Sequence, residues 1–211
     1  MDMRVSECED EAKRALEKDD LVSLLEAING ARESDEDDNG APIGISCQRC
    51  TVNARAYFSA PSRSAVRSGK VNSDADANPY IVLCANHLQS EQVYPILRHE
   101  LVHAYDHYVG KMDLTKGCDL ACSEIRAAKA SECSSTYASG IGALCAMGGY
   151  GDAVSTTGIA GFCRRLKENC VRSFASISTK KVFPKEGDCL VRHVFEKCYA
   201  SELLSPPEVD M

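Results

Sequence analysis

The stretch 93-VYPILRHELVHAYDHYVG-110 decides how the chain is read. At its centre stand His99, Glu100, Leu101, Val102 and His103. Residues i and i+4 share one face of an α-helix, so His99 and His103 can aim one imidazole each at a single metal ion. Glu100 sits about 100° further round the helix, within reach of a water on that metal without being a ligand itself. Zinc suits the arrangement, because two neutral imidazoles leave room for a third protein ligand and an open position. The surroundings are helical: Leu97, Leu101, Ala104, Tyr105 and Tyr108 form an apolar stripe, and Gly110 supplies a stop. Pro95 fits such a helix only near its first turn or at a kink. The spacing predicts a helix carrying a hydrolytic metal site, with Glu100 as its general base.

Two histidines do not complete a zinc site. His107 shares their face, but a rise of about 1.5 Å per residue puts it about 6 Å beyond His103 along the axis. Asp106 has the same difficulty with a shorter side chain, and a hydrogen bond to a ligand imidazole suits it better. A third ligand is therefore sought on a separate element, 118-CDLACSEIRAAKA-130. Read as a helix, this segment places Leu120, Ala121, Ala127 and Ala128 on the face of Glu124, with Asp119, Ser123, Arg126 and Ala130 on a more polar side. A carboxylate among small apolar residues, with no Lys or Arg four residues away, is costly unless something binds it. Glu124 leads Asp106 and His107 as the candidate.

The remaining chain bounds the answer. Its 211 residues and 44% hydrophobic content allow one compact domain with tails. A formal charge of −7 and a pI near 5.3 argue against binding nucleic acid or an anionic membrane through bulk charge. No run of about 20 apolar residues occurs, so no membrane span is expected. Residues 1 to 30 suggest an amphipathic helix, followed by the acidic run 33-ESDEDDNG-40, which has the character of a linker. An N-terminus this acidic is read as neither a matrix presequence nor a signal peptide. Strand-like runs occur at 51-TVNARAYFSA-60 and 80-YIVLC-84, the second read as core rather than edge. The nearly uncharged stretch 134 to 163 carries seven of the fourteen glycines and reads as a loop-rich insertion. Residues 162 to 176 and 188 to 203 read as two further helices.

Twelve cysteines is a heavy load. Cys47, Cys50, Cys84 and His87 have the spacing to close a structural zinc site, or the cysteines among them join the others as disulfides. Cys163, Cys170, Cys189 and Cys198 fall in the C-terminal helices, where cross-links would hold together a fold with few aromatics. Cys8 and Cys145 stand in the least regular regions and are taken as unpaired or peripheral thiols.

The run HELVHAYD, followed about 15 residues later by ACSEIRAA, resembles the mitochondrial intermembrane-space metallopeptidase family that matures membrane subunit 6 (subunit a) of ATP synthase, known in animals as Ku70-binding protein 3. The likeness extends to 47-CQRC-50, 84-CANH-87, 170-CVRSFASIS-178 and 198-CY-199, and so covers most of residues 45 to 200. The chain departs from the family at 131-SEC-133 and at Val109. The resemblance implies His99, His103 and Glu124 as zinc ligands and Glu100 as catalytic base. It implies an α+β, zincin-like fold, mostly helical with a small sheet and rich in cysteine. Disulfides are then expected in place of a second, structural zinc, because the compartment is oxidising. Residues 1–44 are expected to form an acidic helix and linker, 45–204 the peptidase domain and 205–211 a tail. The implied activity is removal of a short N-terminal segment from the ATP synthase subunit precursor, with help in its assembly, by a protein peripheral to the inner membrane. Tyr105 and His193 are the side chains available as further oxyanion donors. A non-proteolytic assembly chaperone and a zinc-ribbon interaction module are the alternatives.

Overall fold

The run Tyr80–Cys84 is apolar and β-branched, and it forms the central strand of a three-stranded sheet in the computed structural model, which describes residues 2–35, 42–60, 78–134 and 158–205. β1 (Gly44–Gln48) pairs with this strand, β3, in parallel, Gly44 opposite Tyr80 and Gln48 opposite Cys84. β2 (Ala56–Ser59) pairs on the other side in antiparallel sense, Ala56 opposite Leu83. Ile81, Val82, Leu83 and Cys84 are all buried, as expected of a strand paired on both edges and covered on both faces. The core reading of residues 80 to 84 is therefore borne out. β1 was not apparent in the sequence.

The chain divides into two compact units, Met1–Lys111 and Met112–Met211. In the first, the N-terminal segment forms two helices where one was expected: α1 (Val5–Leu16) and α2 (Asp19–Glu33). The break falls at Lys18, whose extended backbone starts α2, with Asp19 and Asp20 in the first turn, where carboxylates complement the helix dipole. Cys8, Ala12 and Ala15 bury one side of α1, and Leu21, Leu24 and Ile28 one side of α2. A disulfide from Cys8 to Cys47 ties α1 to β1, which corrects the reading of Cys8 as an unpaired thiol. A turn of 3₁₀ helix, Ala85–His87, leads from β3 towards α3 (Ser90–Tyr108). Gln89 and Gln92 form a capping box at the start of α3, with the Gln89 amide donating to the Gln92 side chain at 3.0 Å. Pro95 is the sixth residue of α3, so the helix begins more than a turn before it and forgoes one backbone hydrogen bond.

α1 and α2 pack against α3, and polar contacts fix the fit. The Tyr94 hydroxyl donates to Asp20 at 2.7 Å, Arg98 lies 3.0 Å from the same carboxylate, and the Lys18 ammonium stands 3.8 Å over the Tyr94 ring. Ser90 donates to Glu11 of α1.

The second unit is helical: α4 (Gly117–Ala130), α5 (Gly158–Val182) and α6 (Gly187–Ala200), each packed on the other two. α5 runs beyond the expected 162 to 176 at both ends. Ala121, Ile125 and Ala128 of α4 meet Val171 and Ala175 of α5 and Val191, Val194 and Phe195 of α6 in one buried cluster. Disulfides join Cys122 to Cys198 and Cys133 to Cys170. A side chain on Gly117 would meet Leu190 Cδ1 at 2.7 Å, so the starts of α4 and α6 touch just as the Cys122–Cys198 bond joins their later turns. The two helices therefore run in the same direction. Half of the supposedly polar side of α4, Ser123 and Arg126, is buried as well, while Asp119 and Ala130 are half-buried. Ser123 is fully covered, and Arg126, 3% exposed, donates to the Glu202 and Leu203 carbonyls at 2.8 and 2.6 Å and to the Ser201 hydroxyl at 2.6 Å. Lys129 donates to the Tyr199 carbonyl at 2.7 Å. Lys129 thus meets a carbonyl in the last turn of α6, and Arg126 gathers carbonyls of the segment that follows the helix. Cys145 and most of the glycine-rich insertion lie outside the described residues.

Candidate metal centre

α3 carries His99, Glu100 and His103 on its second half, where Leu101, Val102 and Ala104 are fully buried and hold the helix in place. The His99 and His103 ring centroids are 4.8 Å apart, with the rings at 79° to each other. Zinc bonds a ring nitrogen at about 2.0–2.1 Å, so two rings sharing one tetrahedral ion have centroids about 5 Å apart. The observed separation fits that requirement. His99 is half-buried and His103 is 8% exposed, which leaves the pair shielded yet reachable. Glu100, also 8% exposed, stands next to His99 in sequence and is held in the wall of the same helix.

The other histidine on this helix has a different job. His107 packs its ring against Phe58 of β2 at 6.1 Å and against Tyr108 at 4.7 Å. Such offset and edge contacts are those of an aromatic cluster. Asp106 is fully buried, one turn beyond His103. Tyr105 is buried and His193, on α6, is exposed.

Glu124 belongs to the second unit, on α4, and is 8% exposed. Its surroundings on that helix are those read from the sequence: Ala121, Ala127 and Ala128 are fully buried and Leu120 nearly so. A carboxylate so placed calls for a cation or strong donors.

Cys47, Cys50, Cys84 and His87 do not assemble into a Cys3His site. Cys47 is bonded to Cys8, and Cys50 to Cys84, so no thiolate is left there to bind zinc. The Cys50–Cys84 bond instead fastens the loop after β1 to the end of β3, and the Asn86 side chain makes two hydrogen bonds to the Cys50 backbone, at 2.8 and 3.0 Å. The zinc-ribbon alternative goes with the site. Among the described residues the free cysteines are Cys118 and Cys189, the latter against its assignment to a cross-link.

Comparison with known proteins adds a family. The model of the peptidase M76 family matches residues 6–202, a span that takes in α1 at one end and the segment after α6 at the other. The chain belongs to the peptidase M76 family. The mitochondrial inner membrane protease ATP23 of Meyerozyma guilliermondii is 34% identical over 125 residues, which are 56% of this chain and 45% of that protein. The homolog of that protease in Danio rerio is 29% identical over 158 residues, 71% of this chain and 54% of its own. The Homo sapiens homolog is 38% identical over 89 residues, 40% of this chain and 35% of its own. The chain thus spans about half the length, or less, of these relatives. No solved structure matches it.

The positioning contacts of α3 were missed by sequence reasoning. Asp20, Tyr94 and Arg98 fix the helix against α2, and the signal for Asp20, an acidic pair at a helix start, was hidden because residues 1 to 30 read as one helix.

Proposed function

We propose that the chain is a zinc-dependent endopeptidase of zincin-like architecture, with α3 as its active-site helix. His99, His103 and Glu124 hold the ion, and Glu100 is the general base. The observation that carries this reading is the pair of imidazoles 4.8 Å apart on one turn of α3, beside a carboxylate. Membership of a peptidase family, matched across residues 6–202, supports it, because that span includes both the histidines and Glu124.

When bound, zinc supplies a Lewis acid and lowers the pKa of a water it holds toward about 7. His99 and His103, anchored through buried Leu101 and Val102, keep the donor geometry fixed. Glu124 completes the donor set and places a compensating charge in an apolar wall. Glu100 takes a proton from the attacking water and returns it to the leaving amine. Asp20, Tyr94 and Arg98 act on none of the reacting atoms; they orient the helix that does. β2 is the sheet edge beside α3, through Phe58 and His107, and an extended substrate that pairs with the sheet does so there.

The reading puts this activity at the mitochondrial inner membrane, on its intermembrane-space side, where the disulfides are stable; relatives named as mitochondrial inner membrane proteases support it. The substrate is an inner-membrane protein precursor, the ATP synthase subunit 6 (subunit a), trimmed at its N-terminus. The reading makes the attachment to that membrane peripheral. Among the described residues no helix is long and apolar enough to cross a membrane. The test is Glu100→Gln, assayed on that precursor. Loss of cleavage by about 10²-fold or more, with zinc retained, is the expected result. Cleavage at the wild-type rate overturns the reading, and a wild-type chain that binds the precursor without ever cutting it favours a chaperone.

A further inference from the structure

α5 differs in charge from every other helix among the described residues. Between Gly158 and Val182 it carries Arg164, Arg165, Lys167, Arg172, Lys180 and Lys181 against the single Glu168. The other five helices among the described residues are neutral or acidic by sequence, and the whole chain is at −7. One face of α5 is used: Val171, Ala175 and Thr179 are fully buried, and Arg172 lies 3.3 Å over the Phe195 ring while pairing with Glu196 at 2.8 Å.

Among the described residues the opposite face has no comparable cover. Phe162, Phe174 and Ile177 are 55%, 38% and 57% exposed, with Leu166 between them at 37%. At about 100° per residue these four fall within an arc of about 120°, along about 22 Å of helix. Lys167, Lys180 and Lys181 fall within or beside that arc. Lys180 reaches Asp188 of α6 at 2.5 Å, whereas among the described residues Arg165, Lys167 and Lys181 have no carboxylate partner.

A stripe of Phe, Leu and Ile flanked by Lys and Arg is the pattern of a helix that lies in the plane of a lipid interface. The rings and aliphatic chains enter the acyl boundary, and the lysine stems lie along it with their ammonium groups at the phosphates. We propose that the outer face of α5 is the surface by which this chain docks on an anionic lipid membrane. The charge decides between occupants: a second copy meeting this face through a two-fold axis would set lysine against lysine. An anionic headgroup layer complements both halves of the pattern. This deepens the reading given above, which places the chain at a membrane without naming what touches lipid. Cleavage of a soluble peptide tests that reading alone, and vesicle binding tests this one.

The experiment is co-sedimentation of the full chain with phosphatidylcholine vesicles, with or without a substantial phosphatidylglycerol fraction. Binding is expected to the anionic vesicles, falling as salt is raised. Lys167→Glu combined with Lys181→Glu weakens it by at least about tenfold. Phe174→Ser combined with Ile177→Ser does likewise, although both positions are exposed and thermal melting should show the fold intact. Val52→Ser, at an exposed apolar position in the first unit, leaves binding unchanged. The proposal is overturned if anionic lipid makes no difference or if both double variants bind as wild type does. It is equally overturned if the Phe174 and Ile177 pair only converts a dimer to a monomer.

Discussion

His99 and His103 stand one turn apart on α3 with their rings nearly perpendicular and 4.8 Å between centroids. A helix supplies that spacing from local sequence alone, and the packing of α1, α2 and the sheet on α3 keeps it rigid. The metal reading therefore begins from two side chains whose relation owes little to distant parts of the chain. What they require is a third donor and a base, and both are open to test by substitution.

Glu124→Gln keeps the size of the side chain and removes its charge. Outer hydrogen-bond partners of metal ligands are worth about 10–100-fold in affinity, and a direct ligand is expected to exceed that. Zinc affinity measured by competition with a chelator should fall by more than about 100-fold, with the helical circular dichroism unchanged. Unaltered affinity would remove Glu124 from the site.

The Cys122–Cys198 bond closes the longest loop of the four described, with a separation of 76 residues. Loop-closure entropy assigns it about 4.5 kcal/mol. Replacing both cysteines by alanine should lower unfolding stability in guanidinium by an amount of that order. A change under about 1 kcal/mol would mean that the contacts of Phe195 and Ile125 hold the helices without it.

Arg126 is nearly inaccessible, and its guanidinium gathers the carbonyls of Glu202 and Leu203 with the Ser201 hydroxyl. Arg126→Met fills the volume but leaves those acceptors without their donor, at a cost of about 3 kcal/mol or more. Denaturant titration checks the magnitude. Faster proteolytic trimming after Ala200 checks the location.

Asp188 at the start of α6 has its carboxyl held below the ordinary carboxylate range, first by a hydrogen bond from Lys180. A lowered folded-state value stabilises above the unfolded pKa and is lost as pH falls through the folded one. Asp188→Asn should be slightly less stable than wild type at neutral pH, and the two should converge in strong acid. A gap that widens on acidification would contradict the pairing.

The helices α3 and α4 were legible because their signals are local: apolar residues at helical spacing, and a motif whose members are one turn apart. Central strand β3 was legible for the same reason, as a short β-branched run. β1 was not, since Gly44 finds its partner Tyr80 across a long parallel connection that five residues do not announce. The break between α1 and α2 was hidden because the apolar residues keep nearly the same period through Glu17 and Lys18. Cys8 was misjudged and Arg126 was placed on a polar face for a common reason. Each is explained by a partner far along the chain, Cys47 in one case and the segment after Ala200 in the other.

Zinc content per chain tests the central claim most directly, measured by elemental mass spectrometry on the purified wild type and on the His99→Ala, His103→Ala double variant. One zinc in the wild type and none in the double variant is the expected result. Zinc retained by the double variant, or absent from a wild type refolded with the metal, would contradict a catalytic ion held by α3.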